Sequence, residues 1–309
     1  MFVSQLVSSS DSDFSFNRKS PYKGVVTSRQ WAGPSSYKSS CGSSLSINPI
    51  MTDSDCRMLL QPLWTVLLGH SSLMHSPVFP VLFSLSVYLS CCAPFLLLDL
   101  LSSRWAPVRR YKLQPRSSVS WASVRSCLAV TLYNHVVFIL PLTVMHWYLR
   151  PVHLPQEAPP LARLLAQVLV CLLLFDFQSF IWHLLHHRVP WLYCNFHKLH
   201  HTFSSTSSLT TEHSGVWETL SLGFFSAMTP FLLGCHPLTE LVFFVVNISL
   251  SVEDHCGYDL PWSSHRLVPL GLYGGARHHD LHHLKSNCNY APYFTHWDRL
   301  AGTLCTQED

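Results

Sequence analysis

The sequence predicts an all-α membrane protein, a polytopic bundle of three spans and a helical hairpin with a histidine-rich cap on one side. Three observations predict this fold. Charged residues make up only 12% of the 309 residues, about half the share of a typical soluble domain. The mean hydropathy is +0.20, and several apolar runs are long enough to cross a bilayer. Histidine occurs 20 times, whereas the net charge of +3 is too small to indicate nucleic-acid binding.

The first 50 residues differ in composition from the rest. They are rich in serine and have no apolar periodicity, as in "GPSSYKSSCGSSLS". Such a stretch predicts a disordered tail, and it lacks the apolar core of a secretory signal peptide. The sequence "MTDSDCRMLLQPLW" begins at Met51 and opens the structured part, so we predict a tail over 1–50 and one membrane-embedded domain over 51–309.

Three apolar runs predict transmembrane helices at about 78–101, 127–149 and 161–182. A fourth region, 220–252, holds two shorter apolar runs joined by "GCHP". This pattern favours a helical hairpin that enters the membrane and returns. Prolines within these runs are compatible with helix because neighbouring helices cover the freed backbone groups.

The basic residues predict the orientation. The loop after the first span carries five of them, whereas the loop after the second carries only Arg150. By the positive-inside rule the first loop is cytoplasmic. The third span then ends in the cytoplasm, and a returning hairpin brings 251–309 to the same side. All histidine clusters therefore share one cytoplasmic face.

The histidines recur in short patterns. "HKLHH" and "HDLHH" both have the spacing H-x-x-H-H, "WHLLHH" contains H-x-x-x-H, and "SVEDHCGYDLPW" adds one more. Residues at i, i+3 and i+4 of a helix lie on one face, so each cluster aims its imidazoles in one direction. Crowded histidines favour neutral rings, the form that binds metals. The candidate metal ligands are His183, His187, His197, His200, His201, His255, His279, His282 and His283.

This number of histidines predicts two metal ions, since a single zinc takes about four ligands. We expect nearby carboxylates to accept the other ring N–H of the ligands. These carboxylates are Glu253, Asp254, Asp280 and Asp298, with Asp176 inside the third span as a further group that orients a histidine. His278 is either a ligand or a donor beside one, and His186 points away from the His183 face. Imidazole suits iron, zinc and copper, so ligand type alone does not choose the metal.

Together with "EDHCGYDLPW" and "NYAPYFTHWDRLAGT", the three histidine boxes resemble the fatty acid hydroxylase/sterol desaturase superfamily of membrane non-haem di-iron oxygenases. The first two boxes lie about ten residues apart, closer than in acyl-CoA desaturases. The likeness covers about 51–304 and implies that the nine histidines hold two iron ions that use O2. Many members have a further histidine in a tract like "AAEYAHPxE"; here the tract is "TTEHSGVWE", with Gly215 at that position and His213 as the nearby alternative.

The resemblance is closest to members that hydroxylate sterols, which implies a monooxygenase acting at C25 of cholesterol or a related sterol. It also implies an endoplasmic reticulum membrane location. Some family members carry a fused cytochrome b5 domain with an "HPGG" haem motif, whereas this sequence has only "CHPL". The electrons are therefore expected from an external NAD(P)H-dependent reductase or cytochrome b5. The alternative within the superfamily is a sterol desaturase or methyl oxidase. The alternative from another class is a non-catalytic membrane protein that binds zinc.

Overall fold

The computed structural model describes residues 53–149 and 152–306, and the predicted tail lies outside the described residues. Regular secondary structure in the described residues is helical, with two isolated bridges between extended residues, so the predicted all-α class is confirmed. The longer helices are α1 Asp53–Gly69, α2 Phe79–Ser102, α3 Trp121–Leu149, α4 Leu161–Arg188, α5 Val216–Leu232, α6 Pro237–His255, α7 Gly275–Lys285 and α8 His296–Ala301. Single turns, among them Ser71–Met74, Ala106–Arg109, Pro190–Leu192 and Ser264–Leu267, connect them.

Three helices, α2, α3 and α4, are long and apolar enough to cross a membrane, which confirms the three predicted spans. Two helices are longer than predicted: α3 begins at Trp121 rather than 127, and α4 continues to Arg188 rather than ending at 182. The extension of α4 bears on the site. Its continuation carries His183 and His187 on the same rigid helix as the apolar run. Pro190, which cannot continue a helix interior, follows shortly after the last residue.

Helix α3 contains one π-helical turn, His135–Ile139, in which the Leu140 N–H donates to the His135 carbonyl. Pro141 is the second residue after this turn. A proline has no N–H for the carbonyl four residues earlier and its ring crowds that carbonyl, so the widened turn accommodates it. The helix begins at a capping box in which the Ser120 and Ser123 side chains each accept from the other's backbone N–H.

The predicted hairpin over 220–252 is present as two helices, α5 and α6, with Leu233–His236 between them. Gly234 lies in the left-handed region, with φ of 58°, where the chain reverses. His236 then caps α6, since its Nδ1 accepts the Leu238 N–H at 3.0 Å. This histidine of the "CHPL" sequence therefore has a structural role.

Helix α6 packs against α2, α4 and α7, and so lies at the centre of the bundle. One apolar cluster joins α4 and α6 through Phe175, Phe243 and Tyr293. The C-terminal ends of α4 and α6 carry His183, His187 and His255, and α7 contacts the end of α6. The packing therefore brings the histidine boxes to one end of the bundle.

Candidate metal centre

Five histidines form the first group of ring nitrogens, here called group A, and each offers one nitrogen within 4.8 Å of the others'. Its members are His183, His187, His197, His201 and His282. His201 is central: its Nε2 lies 3.1 Å from that of His187, 3.0 Å from that of His197 and 3.1 Å from that of His282. Helix α4, the segment after it and α7 thus contribute to one site.

Four histidines form the second group, group B, and all four are buried. Its members are His200, His255, His279 and His283. The His255 Nε2 lies 3.2 Å from that of His200 and 2.9 Å from that of His279. Groups A and B are adjacent, since the rings of His201 and His283 have centroids 4.6 Å apart.

The nine histidines that the sequence predicted as ligands are the nine members of the two groups. The position of each histidine within its box decides which of the two groups it joins. The i, i+4 pairs stay together, as His197 and His201 do in group A and His279 and His283 in group B. The i+3 member of each H-x-x-H-H box joins the other group: His200 lies in group B and His282 in group A. Each of the two boxes therefore contributes histidines to both groups. In the second box this arises from a π turn at Tyr193–His197 followed by a 3-10 turn at His200–Thr202, rather than from α-helix.

Oxygen acceptors fix the tautomers of five rings. The Nδ1–H of His183 donates to the Tyr290 carbonyl at 2.6 Å, and that of His282 to the Cys288 carbonyl at 2.7 Å. In group B the Nδ1–H of His255 donates to the Ser251 carbonyl. His197 and His283 donate in the same way to Glu218 and to the Phe203 carbonyl. Because a neutral imidazole carries one proton, these rings present an unprotonated Nε2 to the groups.

This donor set fits a metal ion. Nitrogen lone pairs about 3 Å apart repel one another, and a cation between them removes the repulsion. The Nε2 of His183 is buried and has no hydrogen-bond partner in the described part of the chain. Groups A and B each supply at least the four nitrogens that one ion needs.

Burial keeps the rings neutral. It lowers the pKa of His201 to about 3, and the charges that His183 and His255 would carry add to the shift. The pKa values of five further rings lie well below the ordinary value for the same two reasons, burial first and neighbouring histidines second. These rings are His197, His200, His279, His282 and His283. A solvated surface helix would not produce this environment.

Glu218 is a site residue that sequence reasoning missed. Its Oε1 accepts the Nδ1–H of His197 at 2.9 Å, and the two side chains are only 3% and 2% exposed. It sits in the first turn of α5, 21 residues from its partner. No helical spacing relates Glu218 to His197 in the sequence. The one sequence feature that points to Glu218 is its position as the last residue of the "TTEHSGVWE" tract. A carboxylate on the far nitrogen of a ligand orients the ring and raises its basicity.

The structure does not bring the predicted carboxylates to the ligand rings. Glu253 accepts from the Ser264 N–H and hydroxyl, each at 2.6 Å, and Asp254 accepts from the Tyr273 hydroxyl. Asp280 accepts from Gln114. The reason is helical geometry: successive residues point about 100° apart, so a carboxylate next to a ligand in sequence faces away from it.

Two other predicted carboxylates, Asp298 and Asp176, accept backbone N–H groups of the segment 290–298 instead of bonding to a ligand ring. Asp298 accepts the Tyr290 N–H and the Ala291 N–H, both at 2.9 Å, and its Oδ2 lies 3.2 Å from the His278 Nε2. Burial opposes ionisation of Asp298, but the bonds from His278 and its other donors hold its pKa below the ordinary value. His278 lies outside both groups. Asp176 accepts the N–H of Tyr293 at 2.7 Å, so it supports this segment rather than a histidine ring.

The remaining candidates also lie outside both groups. The His186 ring stacks on Trp182, in line with the expectation that it points away. The His213 Nδ1 lies 3.3 Å from the Leu199 carbonyl, and its ring packs on Phe203, so it supports the second box from behind. At Gly215 a Cβ would lie 3.1 Å from the Phe196 carbonyl, which leaves little room for the histidine of the related tract.

Comparison with known proteins agrees with this site. Residues 168–303 match the fatty acid hydroxylase family model, which spans all nine histidines. A cholesterol 25-hydroxylase-like protein of Danio rerio is 62% identical over 79% of this chain and 98% of its own length. The cholesterol 25-hydroxylase of Homo sapiens is 56% identical over 84% of this chain and 95% of its own. A cholesterol 25-hydroxylase-like protein of Caenorhabditis elegans is 32% identical over 81% of this chain and 83% of its own. No solved structure matches the chain.

Proposed function

Since this chain belongs to the cholesterol 25-hydroxylase family of fatty acid hydroxylase-type enzymes, we propose that it hydroxylates cholesterol at C25 to give 25-hydroxycholesterol. The observation that carries the proposal is the convergence of nine histidine rings, seven of them buried, into two groups of ring nitrogens. Five of these rings present an unprotonated Nε2. An imidazole-only donor set of this size is suited to a pair of iron ions. The reaction consumes O2, two electrons and two protons, and it yields the alcohol and water.

Groups A and B would each hold one iron ion, and the pair would supply O2 activation. The chain itself positions the histidine rings and shields the site from water. The carbonyls of Tyr290, Cys288 and Ser251 fix three rings by accepting their Nδ1–H, and Glu218 fixes His197. Burial of the rings excludes water, which would otherwise compete for an activated site.

The location of the histidine groups favours a lipid substrate. Both groups lie at one end of a bundle whose three longest helices match the thickness of a membrane. A sterol that enters between these helices presents its side-chain end at that end of the bundle. Which carbon reacts then depends on which one is held against the site, and C25 follows from the names of the relatives.

We further propose an endoplasmic reticulum membrane location with the histidine groups facing the cytosol, supported by five basic residues between the first two spans. A separate protein, an NAD(P)H-dependent reductase or cytochrome b5, would supply the electrons.

The test is the product formed from isotope-labelled cholesterol by purified protein with reductant and O2. We expect a sterol that gains 16 mass units on its side chain, identified as 25-hydroxycholesterol by co-elution with a standard. A ring double bond or an oxidised ring methyl group would instead identify a desaturase or methyl oxidase. Binding of zinc without any sterol product would indicate the non-catalytic alternative.

A further inference from the structure

The surface at the histidine end of the bundle carries an excess of positive charge. Residues 103–120, 183–215 and 256–306 contain eleven lysines and arginines but only four carboxylates. Ten of these eleven basic side chains are exposed, whereas none of the four carboxylates is. Asp259, one of the two carboxylates that are not buried, already pairs with Arg266 at 2.7 Å. A surface with one sign of charge attracts a partner of the opposite sign.

Group A reaches the protein surface, whereas group B does not. All four rings of group B are buried, but His187 and His201 of group A are partly exposed. The His187 ring lies beside the rings of Tyr193 and Tyr290, with centroid distances of 5.5 and 5.3 Å. Because another protein can approach a ring that reaches the surface, electrons from outside the chain have their shortest route to the site through group A.

Three exposed basic residues follow group A histidines by one to three positions in the sequence, and we call them the basic rim. They are Arg188 after His187, Lys198 after His197 and Lys285 after His282. Arg188 and Lys285 are also the last residues of α4 and α7. The helices that carry the ligands therefore end in cations.

Two members of the basic rim lie next to the partly exposed His187 ring. Arg188 is its neighbour in the chain and lies within electrostatic range of the Tyr290 hydroxyl. Lys285 precedes Ser286, whose backbone hydrogen-bonds to the His187 side chain. An acidic partner that pairs with these two cations is thereby held against the exposed edge of group A.

The position of the rim favours a soluble partner over lipid headgroups. The apolar run of α4 ends at about 182, and Arg188 lies six residues further, ~9 Å along the helix axis. Basic residues such as Arg104 stand directly after α2, which ends at Ser102. Residues at that place face the lipid headgroups and satisfy the positive-inside rule, whereas the rim extends away from the membrane.

We propose that the basic rim docks an acidic face of the protein that supplies the electrons, an inference that rests on the proposed sterol hydroxylation. Carboxylates of the donor would pair with Arg188, Lys198 and Lys285. Two electrons pass from the donor through group A for each sterol hydroxylated, and the donor is oxidised by the same two electrons. Redox complexes of this kind are small and transient, and their charge pairs mainly set the rate of encounter.

The test measures binding of a soluble cytochrome b5 domain of net negative charge to the purified, iron-loaded full chain in nanodiscs of neutral phosphatidylcholine. We expect binding to weaken as salt is added, because exposed charges are screened beyond about 10 Å at 0.1 M ionic strength. Arg188→Glu combined with Lys285→Glu should raise Kd about 10-fold and remove most of the salt dependence. Arg188→Lys combined with Lys285→Arg keeps both charges and should bind like the wild type.

Turnover with the same donor gives the second readout. The charge-reversed variant should raise the KM for the donor by a similar factor, and kcat at saturating donor should stay within about twofold of the wild type. Arg104→Glu combined with Arg116→Glu is the matched control, because both residues are exposed in the loop between α2 and α3 and the charge change is the same. The control should change the donor's Kd by less than about twofold.

No binding by the wild type, an unchanged Kd in the charge-reversed variant, or an equal loss in the control would overturn the inference. A lower kcat with an unchanged KM for the donor would also overturn it, since the rim would then act on the site rather than in docking. A loss of turnover confined to nanodiscs that contain phosphatidylserine would assign the rim to lipid instead. Charge-dependent binding without any sterol product would leave the docking intact and refute the proposed function.

Discussion

Replacing Glu218 with glutamine is expected to weaken metal binding without unfolding the protein. The side chain of Glu218 accepts the Nδ1–H of His197 at 2.9 Å, and both are almost fully buried. Burial raises the pKa of Glu218, and a cation bound beyond His197 would favour its ionised form. Glutamine keeps the shape and an acceptor oxygen but removes the carboxylate that raises the basicity of the ring. Loss of such a carboxylate costs about 10- to 100-fold in metal affinity or activity, which corresponds to ~1.4–2.8 kcal/mol.

The assay is competition for iron between the purified variant and a chelator of known affinity, together with sterol turnover at saturating iron. Glu253→Gln is the control, because Glu253 also stands near a histidine in sequence but accepts from the N–H and hydroxyl of Ser264 instead. We expect the control to lower thermal stability while it leaves iron affinity within twofold of the wild type. Equal iron affinity in Glu218→Gln and the wild type would refute the reasoning that this carboxylate acts on the metal through His197.

Three further substitutions separate ligands from supporting residues. His282→Ala should abolish sterol turnover with near-normal expression, because it removes a nitrogen from group A; retained turnover would contradict its role. His213→Ala should retain both metal ions in elemental analysis, because its ring packs on Phe203 outside both groups; loss of an ion would make it a ligand after all. Asp298→Asn should destabilise the protein by about 3–5 kcal/mol, because it breaks a buried network that holds two backbone N–H groups and His278; an unchanged midpoint of thermal unfolding would contradict this.

The parts of the site that sequence predicts are those governed by local geometry. The spacing i, i+4 places His279 near His283 through the α-helical repeat. It also predicts that His197 lies near His201, although this segment forms a π turn and a 3-10 turn. Apolar length predicts the three spans. The positions of the boxes at one end of the bundle follow from the order of those spans. Packing then decides how the boxes combine. No local rule predicts that His200 joins group B while the rest of its box joins group A, or that His282 joins group A while the rest of its box joins group B.

The supporting residues are predicted less well because they depend on contacts distant in sequence. Asp254 and Asp280 stand beside histidines, yet their side chains bond to Tyr273 and Gln114. Glu218 reaches His197 only because α5 packs next to the second box. Backbone carbonyls such as that of Tyr290 orient ligands as well, and every residue type has a carbonyl, so sequence carries no signal for this role.

Metal analysis of the purified wild-type protein tests the central claim most directly. Two separate groups of histidine ring nitrogens predict two iron ions per chain, and a Mössbauer spectrum should show them as a magnetically coupled pair. A single ion per chain, or zinc in place of iron in protein that forms 25-hydroxycholesterol, would contradict the account of groups A and B as one di-iron centre.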